Sequence, residues 1–292
     1  MREDNSLNAQ EGTTLNALSF DVEDWYHAEL IRHNLEGEPR PQVEEATLPI
    51  LALLERYSVR ATFFVVGEVA AMHPNLIGEI EKAGHEIACH GMSHRPLWEM
   101  EPDDFRQELE AFAEAMEDIV DMKDVVGYRA PTFSLDNERR WAIEVLKEHG
   151  YRYDSSIFPL RTYLYGVNGC PASPYHPSEA DIAVDSGAGD FVEFPLSALR
   201  IGRLALPVCG GFYLRAIPYT FLRWALRRIN RQGQPFVLYM HPWETFRDTL
   251  RLRSLSPLSR FVTYYNINST LGKLERLLST FRFAPLREVL EV

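Results

Sequence analysis

Two histidines four residues apart, His90 and His94, stand in the run Gly84-His85-Glu86-Ile87-Ala88-Cys89-His90-Gly91-Met92-Ser93-His94. An acidic cluster, Asp21, Glu23 and Asp24, ends an apolar run upstream. At helical spacing, side chains four apart project to one side of a turn. A carboxylate carried in from another strand end completes a three-ligand site with one position open for water, the layout of a catalytic zinc centre.

Such a site needs elements that bring distant residues to one place. Short apolar runs rich in Val, Ile, Phe and Tyr predict strands at Ala17–Asp21, Ala61–Val66, Glu86–Cys89, Val125–Tyr128, Tyr151–Asp154, Phe191–Pro195 and Phe236–Met240. Helical patterns lie between several of them. One starts at Pro102, with Asp103 and Asp104 complementing the dipole, and carries Phe105, Leu109, Phe112, Met116 and Ile119 on one stripe. Others cover Glu138–Glu148, ending before Gly150, then Tyr219–Ile229 and Ser269–Thr280. Strand–helix alternation implies an α/β fold with parallel strands and helices outside, here a distorted or incomplete (β/α) barrel of about seven parallel strands. In such barrels, functional groups sit at the carboxyl ends of the strands. Asp21, Glu23 and Asp24 follow the first strand, His90 and His94 the third, Arg129 the fourth, Asp154 the fifth and His241 the seventh. All fall on one rim.

The chain has 292 residues, enough for one large domain, and 46% hydrophobic residues to fill its core. Residues 17–292 are expected to form a single domain, after a disordered arm over 1–16. Leu160–Asp190, rich in Pro and Gly, reads as an inserted loop over the rim, and 245–292 as a C-terminal extension packed on the barrel. A net charge of −12 excludes nucleic acid as the natural partner and disfavours docking to an anionic membrane through a polybasic patch. Three widely spaced cysteines, Cys89, Cys170 and Cys209, make a poor disulfide framework. With no apolar leader and no stretch approaching a membrane span, a cytoplasmic soluble protein is expected.

Five segments together resemble the motifs of the polysaccharide deacetylases, the NodB-homology fold of carbohydrate esterase family 4. They are Ser19-Phe20-Asp21-Val22-Glu23-Asp24-Trp25, His90-Gly91-Met92-Ser93-His94, Tyr128-Arg129-Ala130-Pro131, Tyr153-Asp154-Ser155-Ser156 and Leu238-Tyr239-Met240-His241. His241-Pro242-Trp243-Glu244 and the extension resemble a bacterial subgroup of exopolysaccharide and exosortase loci. The resemblance implies a divalent metal, zinc before Co, Ni, Mn or Fe, and hydrolysis of N-acetyl groups from amino sugars of a polysaccharide or its precursor. By position, Asp21 matches the catalytic base and His90 and His94 the metal histidines. Arg129 matches the arginine that positions the base, and Thr132 the backbone donor to the oxyanion. His241 matches the catalytic acid and Asp154 the residue that tunes it. The family's first motif has two adjacent aspartates, but Val22 stands second here. The carboxylate ligand is therefore Glu23, at i, i+2 from Asp21, or Asp24, which keeps the residue type and has a slight preference.

Blander roles compete at several positions. His27 suits a surface or substrate-loop role, His85 a turn, and Cys89 a buried thiol. An aspartate before two serines, as at Asp154, is also a common capping arrangement. Trp25, Trp98 and Trp243 could stack on sugars or pack at the rim. Gly210-Gly211 suits a bend. The rival functions are hydrolysis of a non-sugar amide, such as a cyclic imide or ureide, and saccharide binding without turnover.

Overall fold

The computed structural model describes residues 14–162, 164–202 and 204–292. The expected arm therefore lies outside the described residues over 1–13, and regular structure already begins at Leu15. The strands are β1 (Leu15–Val22), β2 (Thr62–Val65), β3 (Glu86–Cys89), β4 (Gly127–Tyr128), β5 (Tyr153–Asp154), β6 (Val192–Glu193), β7 (Ala198–Ile201), β8 (Leu204–Pro207), β9 (Val237–Met240) and β10 (Arg282–Ala284). Eight form one sheet in the order β10-β1-β2-β3-β4-β5-β6, with β9 also on β1, and every pairing is parallel. The sheet curls into a half-barrel. Across the seam, Val237 N donates to Ser197 Oγ at 2.8 Å, tying β9 to the chain that leaves β6.

All seven expected strands are present. Three strands were not expected. β7 and β8 form an antiparallel hairpin outside the main sheet, and β10 pairs with the first half of β1. The C-terminal extension is thus partly built into the barrel wall instead of only lying on it.

Side-chain alternation divides the strands between two cores, as the period of two requires. Leu18, Phe20 and Val22 of β1, Phe63 and Val65 of β2, and Leu238 and Met240 of β9 face outward into the helix layer. Ala17, Phe64, Ala88, Tyr153, Val237 and Tyr239 fill the barrel interior. The helix Pro102–Met116 buries Phe105, Leu109, Phe112 and Met116 against the outer face, and a Glu101–Asp104 capping box closes its N-terminus. The remaining expected helices run over Trp141–Glu148, Tyr219–Arg231 and Thr270–Leu278.

The interior is plugged at the end away from the rim. Glu86, whose carboxyl is pushed up by burial, accepts from Thr62 Oγ1 at 2.5 Å and Tyr153 OH at 2.8 Å. The chain after β10 covers these groups, with Leu286 N donating to Thr62 Oγ1 at 2.7 Å.

Candidate functional site

Each strand that reaches the rim delivers the next inward position of its own alternation. Ala17 and Ser19 lead to Asp21, Ala88 to His90, and Val237 and Tyr239 to His241. Glu23 continues the β1 series beyond the strand end, so Asp21 and Glu23 share a face while Val22 points into the outer core. Asp21, Glu23, His90, His94, Thr132, Tyr239, His241, Trp243, Glu244 and Arg215 line one cavity of about 180 Å³.

Glu23, His90 and His94 are buried, with one donor atom from each lying within 4.8 Å of the others. Glu23 Oε2 is 2.5 Å from His94 Nε2. His90 Nδ1 is 2.7 Å from the Arg129 carbonyl, which fixes the ring and leaves Nε2 facing the cavity. Burial holds the His90 imidazole down at about 4, so it stands neutral with a lone pair to give. Burial would push the Glu23 carboxyl up, yet His94 and His241 hold it well below the usual carboxylate range. Two imidazoles and an ionised carboxylate converging on one point fit a divalent cation.

The histidine pair reaches this arrangement without a helix. His90 directly follows β3, and the chain bends through Gly91 (φ 76°) to His94 in the left-handed region (φ 56°). Glu108 stabilises the bend, accepting from Met92 N at 3.0 Å and Ser93 N at 2.9 Å. The expected helical turn is thereby corrected to a bent loop.

Asp24, the slightly preferred ligand, is not in the cluster. Its Oδ2 accepts from Gln42 N at 2.7 Å and Val43 N at 3.1 Å, the opening amides of the helix Val43–Tyr57, and its Oδ1 from Trp25 N at 2.9 Å. One step past Glu23, Asp24 has the opposite parity and serves as a cap from outside the helix. His27 stands behind the cluster, its ring stacked 5.6 Å from that of His94 and its Nδ1 accepting from Asp24 N at 3.0 Å.

Asp21 lies between the Glu23, His90 and His94 trio and His241. Its Oδ1 accepts from Arg129 Nη1 at 2.6 Å, while Oδ2 is 4.0 Å from His90 Nε2 and 3.7 Å from His241 Nε2. Arg129 is fully buried and held by Ser19 Oγ, Ser155 Oγ and the Ser155 carbonyl, each at 2.9 Å. Its guanidinium lies 4.0 Å over the Phe64 ring, which excludes water from the far side.

The partner of His241 differs from the sequence expectation. Tyr153 faces the interior, so Asp154 faces the helix layer. There Asp154 accepts from Ser156 Oγ at 2.5 Å and Ser156 N at 3.2 Å, beside the equally buried Glu193 on β6. No helix begins there for Asp154 to cap; its bonds to Ser156 close a local turn. The carboxylate on His241 Nδ1 is Glu244, at 2.7 Å. Glu244 is anchored in turn by Arg215 Nη2 at 2.7 Å, and Arg215 also donates to the Tyr265 and Val262 carbonyls. Burial opposes the His241 imidazolium, but the carboxylates of Glu23, Glu244 and Asp21 outweigh it and lift the group to about 9. Burial likewise opposes the Glu244 carboxylate, which Arg215 and His241 bring down to about 2.

Two residues read as packing or bend elements complete this side. Trp243 stacks on His241 (5.3 Å between centroids, 14° between planes) and donates from Nε1 to Glu23 Oε1 at 3.0 Å, so one indole orients both a ligand and the histidine. At Gly211, a Cβ would fall 1.5 Å from Glu244 Oε2, so only glycine lets the carboxylate in. The i, i+3 spacing of His241 and Glu244 was the visible signal for the pair, the same offset that defines a capping box. No local pattern marks Arg215. Trp25 packs beneath the rim, donating to the Arg40 carbonyl at 3.0 Å. Trp98 lines a neighbouring cavity. Thr132 has a left-handed backbone (φ 56°), followed by Phe133 at 52°, a costly pair of conformations for residues with a Cβ.

Comparison with known proteins divides the chain in two. Residues 18–153 match the family described as polysaccharide deacetylase, and residues 155–291 match a domain of unknown function, DUF3473. A 107-residue stretch is 34% identical to the peptidoglycan-N-acetylglucosamine deacetylase of Bacillus cereus, covering 34% of this chain and 36% of that protein. Another, of 106 residues, is 30% identical to an uncharacterised 30.6 kDa protein of Geobacillus stearothermophilus, covering 36% of this chain and 39% of that one. The chain therefore spans well under half the length of these relatives. The crystal structure of a Mycobacterium smegmatis protein assigned as a polysaccharide deacetylase shares the fold, with a TM-score of 0.60 and 22% identity over 96% of this chain and 90% of that one.

Proposed function

For a chain whose residues 18–153 belong to the polysaccharide deacetylase family, we propose that the protein hydrolyses N-acetyl groups from amino-sugar residues of a polysaccharide or its biosynthetic precursor. A divalent cation would be held by Glu23, His90 and His94. The observation that carries this reading is the placement of Asp21 between that trio and His241, 3.7 Å from His241 Nε2. The activity named for the Bacillus cereus relative supports an N-acetylated amino sugar as the substrate class.

When bound, the cation supplies Lewis-acid polarisation of the amide carbonyl and acidification of water. Zinc is the first metal to test, since two imidazoles and a carboxylate are its usual catalytic donors. Arg129 orients Asp21 through Oδ1, leaving Oδ2 to take the proton of the attacking water. Thr132 offers its backbone N–H to the oxyanion, a donor whose loss typically costs ~10²–10³ in rate. The Glu23, Glu244 and Asp21 carboxylates keep His241 protonated, Glu244 also orients its ring through Nδ1, and His241 Nε2 delivers that proton to the departing sugar amine. General acid–base help of this kind contributes roughly 10²–10⁴. A carboxylate base beside an imidazolium acid lifted to about 9 is what amide hydrolysis near neutral pH requires.

The test is a panel of N-acetylated oligosaccharides and cyclic imides or ureides, read for acetate and ammonia in parallel. Acetate release from the saccharides is expected, abolished in a His90→Ala/His94→Ala double variant. Ammonia from the imides without acetate from any sugar would transfer the site to a different amide. Undiminished acetate release by the double variant would overturn the reading.

A further inference from the structure

Beside the catalytic cavity lies a surface that the reaction does not use. The helix Pro257–Tyr264 turns Tyr264 inward, to pack with Trp25, Trp243 and Leu255, while Val262 and Thr263 line the cavity. Its other face is bare and apolar. Leu258 is 72% exposed, Phe261 49% and Tyr265 41%, at i, i+3 and i+7. The Phe261 ring is 4.8 Å from Tyr265 and 6.1 Å from Phe212, a cavity-lining residue, so the apolar ridge runs to the cavity mouth.

Exposed arginines accompany this ridge along the chain. Arg247, Arg251, Arg253 and Arg260 are exposed, and among the described residues none lies within ion-pair distance of a carboxylate. The only acid between 247 and 260 is Asp248. In a chain of net charge −12 this is a local inversion, and at physiological salt charges beyond roughly 8 Å are largely screened from it. Scattered exposed apolar side chains are ordinary. Arg251 lies 5.8 Å over the Tyr264 ring, and a contiguous apolar ridge accompanied by guanidinium groups with no carboxylate partner calls for a partner that is apolar inside and anionic at its face. A bilayer with anionic headgroups has that profile: leucine and aromatic rings enter the headgroup–acyl boundary while arginines meet phosphates.

We propose that the helix Pro257–Tyr264 and the arginines of residues 247–260 form an interfacial patch that docks the protein on an anionic lipid surface, with the cavity mouth at headgroup level. The coupling to the site is direct, since Arg215 joins the Val262 and Tyr265 carbonyls to Glu244. The whole-chain charge expectation against membrane docking is thus reversed locally. Docking is a binding property, independent of the reaction proposed above.

The test is co-sedimentation of the full chain with phosphatidylcholine vesicles, with and without phosphatidylglycerol. Binding is expected only with phosphatidylglycerol and weakens with added salt. An Arg251→Gln/Arg253→Gln/Arg260→Gln variant loses roughly fivefold in affinity for each arginine removed. Leu258→Asp, at a side chain with few neighbours to disturb, loses binding while its circular dichroism stays that of the wild type. Failure to bind phosphatidylglycerol vesicles, or binding unchanged in both variants, overturns the proposal. So does a dimer in vesicle-free solution that Leu258→Asp dissolves, or retention on a soluble anionic polysaccharide in place of vesicles.

Discussion

Glu23 and Asp24 are neighbours in sequence, yet the alternation of β1 sends one into the cavity and the other to the amides of the helix Val43–Tyr57. Substituting Glu23→Gln is expected to weaken metal binding by more than the ~10–100-fold that loss of an outer partner costs. Asp24→Ala leaves metal content unchanged and strands three buried amides, lowering stability by at least about 1–3 kcal/mol in urea unfolding. Asp154, turned to the helix layer by the alternation of β5, leaves Glu244 as the carboxylate on His241. His241, ordinarily near 6.5, is lifted to about 9, so its imidazolium persists through neutral pH and is lost above 9. Removing one anion in Glu244→Gln lowers that value, and the alkaline limb of the pH–rate profile shifts to lower pH. Asp154→Asn leaves the limb in place. Linkage gives the matching stability signs. The His241 contribution is complete below 6.5 and lost as pH rises through 9, while the Glu244 contribution is present above 4.5 and lost as pH falls toward 2. At this scale the sequence carried residue types and order. Parity was the missing quantity: an i, i+2 count from Asp21 selects Glu23, and strand alternation from the inward Tyr153 excludes Asp154.

Elements were legible where a pattern had length or composition to declare itself. The stripe Phe105, Leu109, Phe112 and Met116 and the valine- and phenylalanine-rich strands are of that kind. β10 has three residues and gains its place from pairing with Leu15–Ala17, a contact across the chain that no local window contains. The His90–His94 spacing suited a helix, but Gly91 and a left-handed His94 achieve the convergence through a loop, since spacing does not distinguish the two paths. Gly210-Gly211 read as a bend, and its further purpose appears only against Glu244. The turn yields a prediction at this scale. Gly211→Ala drives a Cβ into the Glu244 carboxylate and displaces His241, so kcat is expected to fall by roughly 10²–10⁴ with far-ultraviolet circular dichroism unchanged.

For the molecule as a whole, the two matched regions divide the chemistry. Residues 18–153 contain Asp21, Glu23, His90, His94 and Arg129, and residues 155–291 contain His241, Trp243, Glu244 and Arg215. The barrel brings the Asp21 side and the His241 side together, and β9 beside β1 is the contact that does so. The parallel barrel and its rim were readable because strand ends repeat one rule seven times. The support behind His241 was not, because Arg215 reaches it from a helix far along the chain. The most direct measurement is metal content and acetate release followed together on protein stripped by chelator and titrated with zinc, using N-acetylglucosamine oligomers. The account predicts no acetate from the stripped protein and a rise that reaches its plateau at one bound ion per chain. Full turnover by the stripped protein, or a filled site that releases no acetate from any N-acetylated saccharide tested, would contradict it.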